Sequence, residues 1–378
     1  MKRREFAKIL GVAGIGLVSR NVIPTVNTFF GGDGKKKRKQ WIWIGTDVGP
    51  SADEWKKRFS LMRQSGVDAV LPEIYNSHQA FYESKHLPTA GPWLEKILPL
   101  AKAEGLEVHA WMWSMPCNIP EVAKQHPEWF VVNRNGDSAS EKPAYVNWYK
   151  FLCPSRPEVQ EFVKQTVSEL SSIDGLDGIH LDYIRYPDVI LPEGLQPKYG
   201  IKQDHEYPEY DYCYCDVCRH DFEKETGDDP IKLSDPAANG SWRQFRYDRV
   251  THLVNDILIP AAHANNKRIT AAVFPNWENV RQQWPVWKLD AVMPMLYAAF
   301  YDGGIDWIEA QTDKGVKSLH GRMPLYSGLM VFQLNPDDLS KAIDACYQSG
   351  ASGVSLFSAQ SMTPEKWASL SKAVTASG

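Results

Sequence analysis

Beyond residue 40 the chain alternates short apolar, β-branched and aromatic runs with segments whose apolar residues recur at helical spacing, and it does so up to the C-terminus. Such alternation admits few folds, because parallel strands joined by crossover helices must cover both faces of one sheet. Eight strands are predicted: Trp41–Gly45, Ala69–Ile74, Glu107–Trp113, Gly178–Asp182, Arg268–Phe274, Ala291–Tyr297, Met323–Leu329 and Gly353–Ser358. Helices fill the gaps. Ser51 and Glu54 form a capping box ahead of Trp55, Phe59 and Met62, and the spacing repeats at Val159, Phe162, Val163 and Leu170 and again at Trp242, Phe245, Leu253 and Ile257. Eight such units over about 340 residues predict an α/β fold, a (β/α)8 TIM-type barrel with enlarged loops after strands 3 and 4. A doubly wound open sheet is the alternative, and no Gly-rich phosphate fingerprint follows the first strand.

One stretch concentrates chemistry. Asp174 to Pro187 reads as a helix exit, a buried strand and an abrupt display of polar groups. Side chains alternate along a strand, so His180 and Asp182 share one face while Ile179, Leu181 and Tyr183 take the other. Asp182 then stands at a strand's carboxyl end, where barrels of this kind build their sites. The plainer reading is that Asp182 pairs with Arg185 as a buried structural carboxylate. The connections after the third and fourth strands are too long to be simple loops and should wall the same mouth.

Aromatic residues make up 12% of the chain, with 14 Trp, a composition suited to sugar rings. Residues 1–40 form a separate device. Lys2-Arg3-Arg4-Glu5-Phe6-Ala7-Lys8 precedes an apolar run, Ile9–Val18, too short to span a bilayer, and a Lys-rich tether follows from Gly31 to Gln40. The leader resembles a bacterial twin-arginine export signal, which predicts a periplasmic or extracellular protein touching the membrane only through that signal if it stays uncleaved. Residues 1–39 carry ten Lys/Arg and two Asp/Glu, so the rest of a chain with net charge −4 carries −12. An acidic folded part argues against nucleic acid as a partner.

Several motifs together carry a family resemblance: Gly105-Leu-Glu-Val-His-Ala-Trp111, His126-Pro-Glu-Trp129, Pro154-Ser-Arg-Pro-Glu-Val159, Leu176 to Pro187 and Leu289-Asp-Ala-Val-Met-Pro-Met-Leu-Tyr297. Residues 41–378 resemble the bacterial "family 10 glycosylhydrolase"-like barrels. The resemblance implies a TIM-barrel catalytic domain over 41–378, action on a glycosidic bond of an oligo- or polysaccharide, and Asp182 as the main acidic residue. It does not extend to family 10 xylanases, whose Asn-Glu pair at the fourth strand end is missing here.

Glycosidic cleavage ordinarily takes two carboxyl groups. Glu73 shares a face with Leu71 and Tyr75 on the second strand, and alternate strands feed one tier of a barrel interior, which makes Glu73 the first candidate partner for Asp182. Glu278, after Phe274-Pro-Asn-Trp277, is the second; Asp47 and Asp302 are further options. A substrate-assisted route with Asp182 alone also satisfies the chemistry. His109, Trp113, Tyr75, His180, Arg185, Asn276, Trp277 and Tyr297 are the candidate substrate-binding residues. No catalytic cofactor is expected, since no His-x-His or His-Glu-x-x-His pattern occurs.

Six cysteines are present, three of them in Cys213-Tyr-Cys215-Asp-Val-Cys218. Disulfides are the default for an exported protein. The alternative is a structural zinc on Cys213, Cys215 and Cys218, completed by Cys153 or His220. A catalytically silent glycan-binding barrel is the rival function, and a metal-dependent hydrolase or deacetylase a third.

Overall fold

The computed structural model describes residues 38–377, so the expected export leader lies outside the described residues. Eight strands form one parallel sheet in the order β6-β5-β4-β3-β2-β1-β8-β7: β1 Lys39–Ile44, β2 Ala69–Tyr75, β3 Glu107–Trp113, β4 Gly178–Asp182, β5 Arg268–Val273, β6 Ala291–Pro294, β7 Tyr326–Met330 and β8 Gly353–Phe357. The sheet closes on itself. Parallel bridges Val292↔Leu325 and Met295↔Gly328 join β6 to β7, and the Leu296 N–H donates to the Gly328 carbonyl at 2.8 Å. Closure excludes the doubly wound alternative, so the predicted barrel holds. Three strands differ most in extent from expectation: β1 starts at Lys39, inside the expected tether, β7 starts at Tyr326 and not at Met323, and β6 ends at Pro294, whose missing N–H cannot continue a ladder.

Helices follow the strands: α1 Ala52–Gln64 behind the Ser51–Glu54 capping box, α2 Trp93–Ala103, α3 Pro120–Gln125, α4 Pro157–Ser171 and α5 Asp216–Thr226. Then α6 Gly240–His252 passes through a π-helical turn, Leu253–Leu258, into α7 Ile259–His263, followed by α8 Ile305–Leu319, α9 Pro336–Gln348 and α10 Pro364–Ser377. The β3-to-α4 connection, 114–156, and the β4-to-α6 connection, 183–239, are the two predicted excursions.

Strand parity splits the core in two. Outward positions such as Ile42, Ile44, Val70, Val108, Ile179 and Leu181 pack under Phe59, Leu94 and Phe162 from the helices. Inward positions fill the barrel in tiers, because the shear lifts equal height by one residue per strand and brings alternate strands to a common level. From the strand register, Trp41, His109, Thr270 and Tyr326 share the lowest bulky tier; ring contacts of Trp41 with His109 at 4.7 Å and with Tyr326 at 5.3 Å agree. Beneath it lie small residues, Ala69, Gly178, Ala291 and Gly353. A Cβ on Gly178 would sit 2.3 Å from the His109 Nδ1, so glycine there makes room for the ring above. The top tier, by the same count, is Glu73, Asp182, Met295 and Phe357, drawn from β2, β4, β6 and β8.

Candidate active site

Over that top tier lies a cavity of about 480 Å³ at the carboxyl ends of the strands. Its base includes Glu73, Trp111, Trp113 and Asp182; its walls are Tyr145, Trp148 and Tyr149 from the β3 excursion, Asp188, Leu191 and Tyr199 from the β4 excursion, and Tyr297, Tyr301 and Phe357 opposite. The lining is mostly aromatic, a surface on which the C–H faces of sugar rings stack.

Asp182 ends β4 and is 8% exposed. Its Oδ2 accepts from the Trp111 indole N–H at 3.1 Å and its Oδ1 from the Tyr183 backbone N–H at 2.7 Å. Among the described residues no cation pairs with it. Arg185 instead pairs with Asp188 at 3.1 Å and donates to the Tyr149 hydroxyl at 3.0 Å and the Tyr186 carbonyl at 2.8 Å. Asp188 Oδ2 also accepts from Tyr149 at 2.8 Å, so the two excursions are knotted together by one buried ion pair. The structural reading of Asp182 as Arg185's partner therefore fails. Burial pushes the Asp182 carboxyl up to about 6; its two N–H donors and the more distant Arg185 charge oppose this, and the Glu73 charge adds to it.

Glu73 comes from the end of β2. Burial raises its pKa, against hydrogen bonds from Thr46, whose backbone N–H and Oγ1 approach Oε2 at 3.3 and 3.1 Å. The Trp113 indole favours the charged form from nearby yet makes no hydrogen bond of good geometry, which leaves a buried N–H without an acceptor beside the cavity. Tyr297 completes the floor, its phenol held protonated by burial and then by the Asp182 charge.

The predicted candidates divide sharply. Asp182, Glu73, Trp113, Arg185 and Tyr297 line the cavity. His109 and His180 do not: both are fully buried lower in the barrel, where burial lowers their pKa and keeps them neutral. His180 Nδ1 lies 2.8 Å from the Thr270 hydroxyl, and His109 Nε2 lies 3.3 Å from Glu107 below the tiers. Tyr75 also misses the cavity. The β2–β3 register shifts between Glu73 and Tyr75, so the parity that puts Glu73 inside turns Tyr75 outward, level with Met112 and buried in the helix-facing core. Glu278 is exposed on the loop after β5. Its neighbours Asn276 and Trp277 also stay outside the cavity lining, Trp277 lying edge-on to Tyr247 at 5.1 Å. Asp47 is paired with Arg58 at 2.7 Å, and Asp302 is exposed. Tyr183, assigned to the packing face, lines the cavity because the chain turns there into the left-handed region, φ 51°.

Sequence reasoning missed Thr46, Tyr145, Tyr149 and Asp188. Asp188 directly follows the motif ending at Pro187, and the aromatic density of the excursions was the available signal for the tyrosines.

Residues 40–193 match the model of the family described as glycosyl hydrolase-like 10, which supports the resemblance carried by the motifs. Glycosyl hydrolase YngK of Bacillus subtilis (strain 168) is 25% identical over 169 residues, an alignment covering 38% of this chain and 30% of that one. The chain thus spans about a third of that relative's length. Among solved structures, the catalytic domain of β-amylase from Paenibacillus polymyxa superposes with a TM-score of 0.64 at 10% identity, covering 91% of this chain and 99% of its own. The glycoside hydrolase domain of PgaB (BpsB) from Bordetella bronchiseptica gives 0.64 at 13%, with 90% and 97% covered. A β-galactosidase from Marinomonas ef1 gives 0.62 at 11%, with 89% and 59% covered. At these identities the superpositions speak for the barrel fold.

Proposed function

We propose that this glycosyl hydrolase-like barrel is an exported glycoside hydrolase that cleaves an oligo- or polysaccharide, with Asp182 as proton donor and Glu73 as the second carboxylate. One observation carries the reading: a buried and a half-buried carboxyl group in a single tier, each pushed toward its neutral form, face an aromatic cavity with no cation among the described residues bound to either. A carboxyl with a pKa of about 6 keeps a protonated fraction toward neutral pH that an ordinary aspartate lacks, and releases that proton readily to a leaving oxygen. Glu73, whose charged form the Thr46 hydrogen bonds favour in opposition to its burial, then acts as base or nucleophile. The unpartnered Trp113 N–H and the Tyr297 hydroxyl are donors available to sugar hydroxyls. Export rests on the Arg3-Arg4 leader, and fractionation of the producing cells tests it.

The experiment is a screen of aryl glycosides and polysaccharides with the wild type, Asp182→Asn and Glu73→Gln. Wild-type turnover is expected on at least one substrate, with kcat falling on the order of 10³-fold or more in either variant while binding survives. The rival reading is a catalytically silent barrel that binds glycan in the same aromatic cavity; the residue after Asp182 is a tyrosine and not a second acid. Binding without turnover in the wild type would establish that reading and overturn catalysis. An active Asp182→Asn protein would overturn the assignment of the proton donor.

A further inference from the structure

Outside the cavity, four cysteines converge in the packing between the two excursions. Cys153 stands at the end of the β3 excursion, and Cys213, Cys215 and Cys218 lie where the β4 excursion enters α5; all four are buried, and their sulfurs lie within 4.8 Å of one another. Among the described residues this is the group of His, Cys, Asp or Glu side chains with metal-site spacing. We propose that these four thiols bind one zinc ion and that the ion is structural.

Geometry separates a metal from disulfides. A tetrahedral ion with metal–sulfur bonds of about 2.3 Å has sulfur–sulfur edges of about 3.8 Å. Cys153 Sγ lies 3.7 Å from Cys215 Sγ and 3.5 Å from Cys218 Sγ. A disulfide needs about 2.05 Å, and one sulfur cannot bond two partners. The setting also suits thiolates. Cys213 Sγ accepts from the backbone N–H groups of Val132 at 3.3 Å and Cys215 at 3.4 Å. Cys215 is the N-cap of α5 and Cys218 lies in its first turn, so the positive end of an 11-residue helix faces the sulfurs. Arg156, buried beside the cluster and paired with Asp216, sets a positive charge against the excess negative charge of four thiolates on a divalent ion. Binding converts four thiols to thiolates and releases their protons to solvent. His220, the other sequence candidate for a fourth ligand, is exposed and outside the group. A wholly thiolate, tetrahedral donor set selects zinc over the hard cations; iron is the competitor that shares this preference.

The ion would staple the two excursions that wall the cavity, and none of its four ligands lines that cavity. It takes no part in chemistry, so the test does not depend on the hydrolase reading. The full chain, produced in zinc-supplemented medium and purified without chelator, is analysed for metals by mass spectrometry and for free thiols after denaturation. One zinc per chain and six free thiols are expected. Cys153→Ser and Cys218→Ser should lose the zinc, while Cys346→Ser retains it. Should the ligand variants fail to fold, cobalt exchanged into the wild type must give the intense visible bands of a tetrahedral tetrathiolate site. Metal-free protein with Cys153, Cys213, Cys215 and Cys218 in disulfides would overturn the proposal, as would iron in place of zinc or a weak, octahedral cobalt spectrum.

Discussion

Asp182 holds a charge the fold resists, and that has a measurable sign. Its folded pKa of about 6 stands above the ordinary 3.8, so the native state binds the proton more tightly than the unfolded chain does. Stability contributed by the neutral form is complete below pH 4 and is lost as pH rises through about 6. Asp182→Asn removes a buried charge that exists only above that range. The variant should therefore be more stable than wild type at pH 7.5, by on the order of 2 kcal/mol, and lose that advantage by pH 4. Chemical denaturation at both pH values measures it; equal stability at both would contradict the buried-charge account. Asp182 and Glu73 were legible in the sequence because position along a strand sets which way a side chain points. Tyr75 was not, because a register shift has no signature in residue type. The two histidines were misjudged for a third reason: parity tells inside from outside, while height within the barrel depends on the shear.

Elements were read more securely than their edges. All eight strands stand where periodicity put them, but β6 and β7 meet only through bridges, and the residue that permits their approach is a glycine. A Cβ at Gly328 would lie 2.8 Å from the Pro294 carbonyl oxygen and 3.2 Å from the Met295 Cα, both backbone atoms of the facing strand. Gly328→Ala should cost about 1–3 kcal/mol and, since Met295 lines the cavity, weaken ligand binding as well as lower Tm. Thermal melts beside a binding titration check both; an unchanged Tm would show that the seam gives way without penalty. The excursions were legible only as lengths. Irregular chain has no period, so neither the Arg185–Asp188 pair nor the tyrosines around it followed from pattern.

On the scale of the whole molecule, the face opposite the cavity is tied across strands by charge. Glu107 on β3 receives Lys39 from β1, Arg268 from β5 at 2.7 Å and His109 at 3.3 Å. Burial works to raise the Glu107 pKa, but these donors together pull it to about 2, below the ordinary 4.5. Lys39 is itself shifted down, by its own burial, so the stabilisation belongs to the joint donor set more than to that one pair. A depressed folded pKa gives stability above about pH 4.5 that is lost as pH falls toward 2. Glu107→Gln should accordingly cost about 1–2 kcal/mol at pH 7 after solvent screening, and the gap to wild type should shrink in acid unfolding below pH 4. A pH-independent gap would mean that the glutamate acts through packing alone. At the other end, Arg185, Asp188 and Tyr149 bind one excursion to the other and not to the staves beneath. A visitor therefore meets a collar already set. What it admits is decided by fit at the threshold, with little chain left to fold down around the guest.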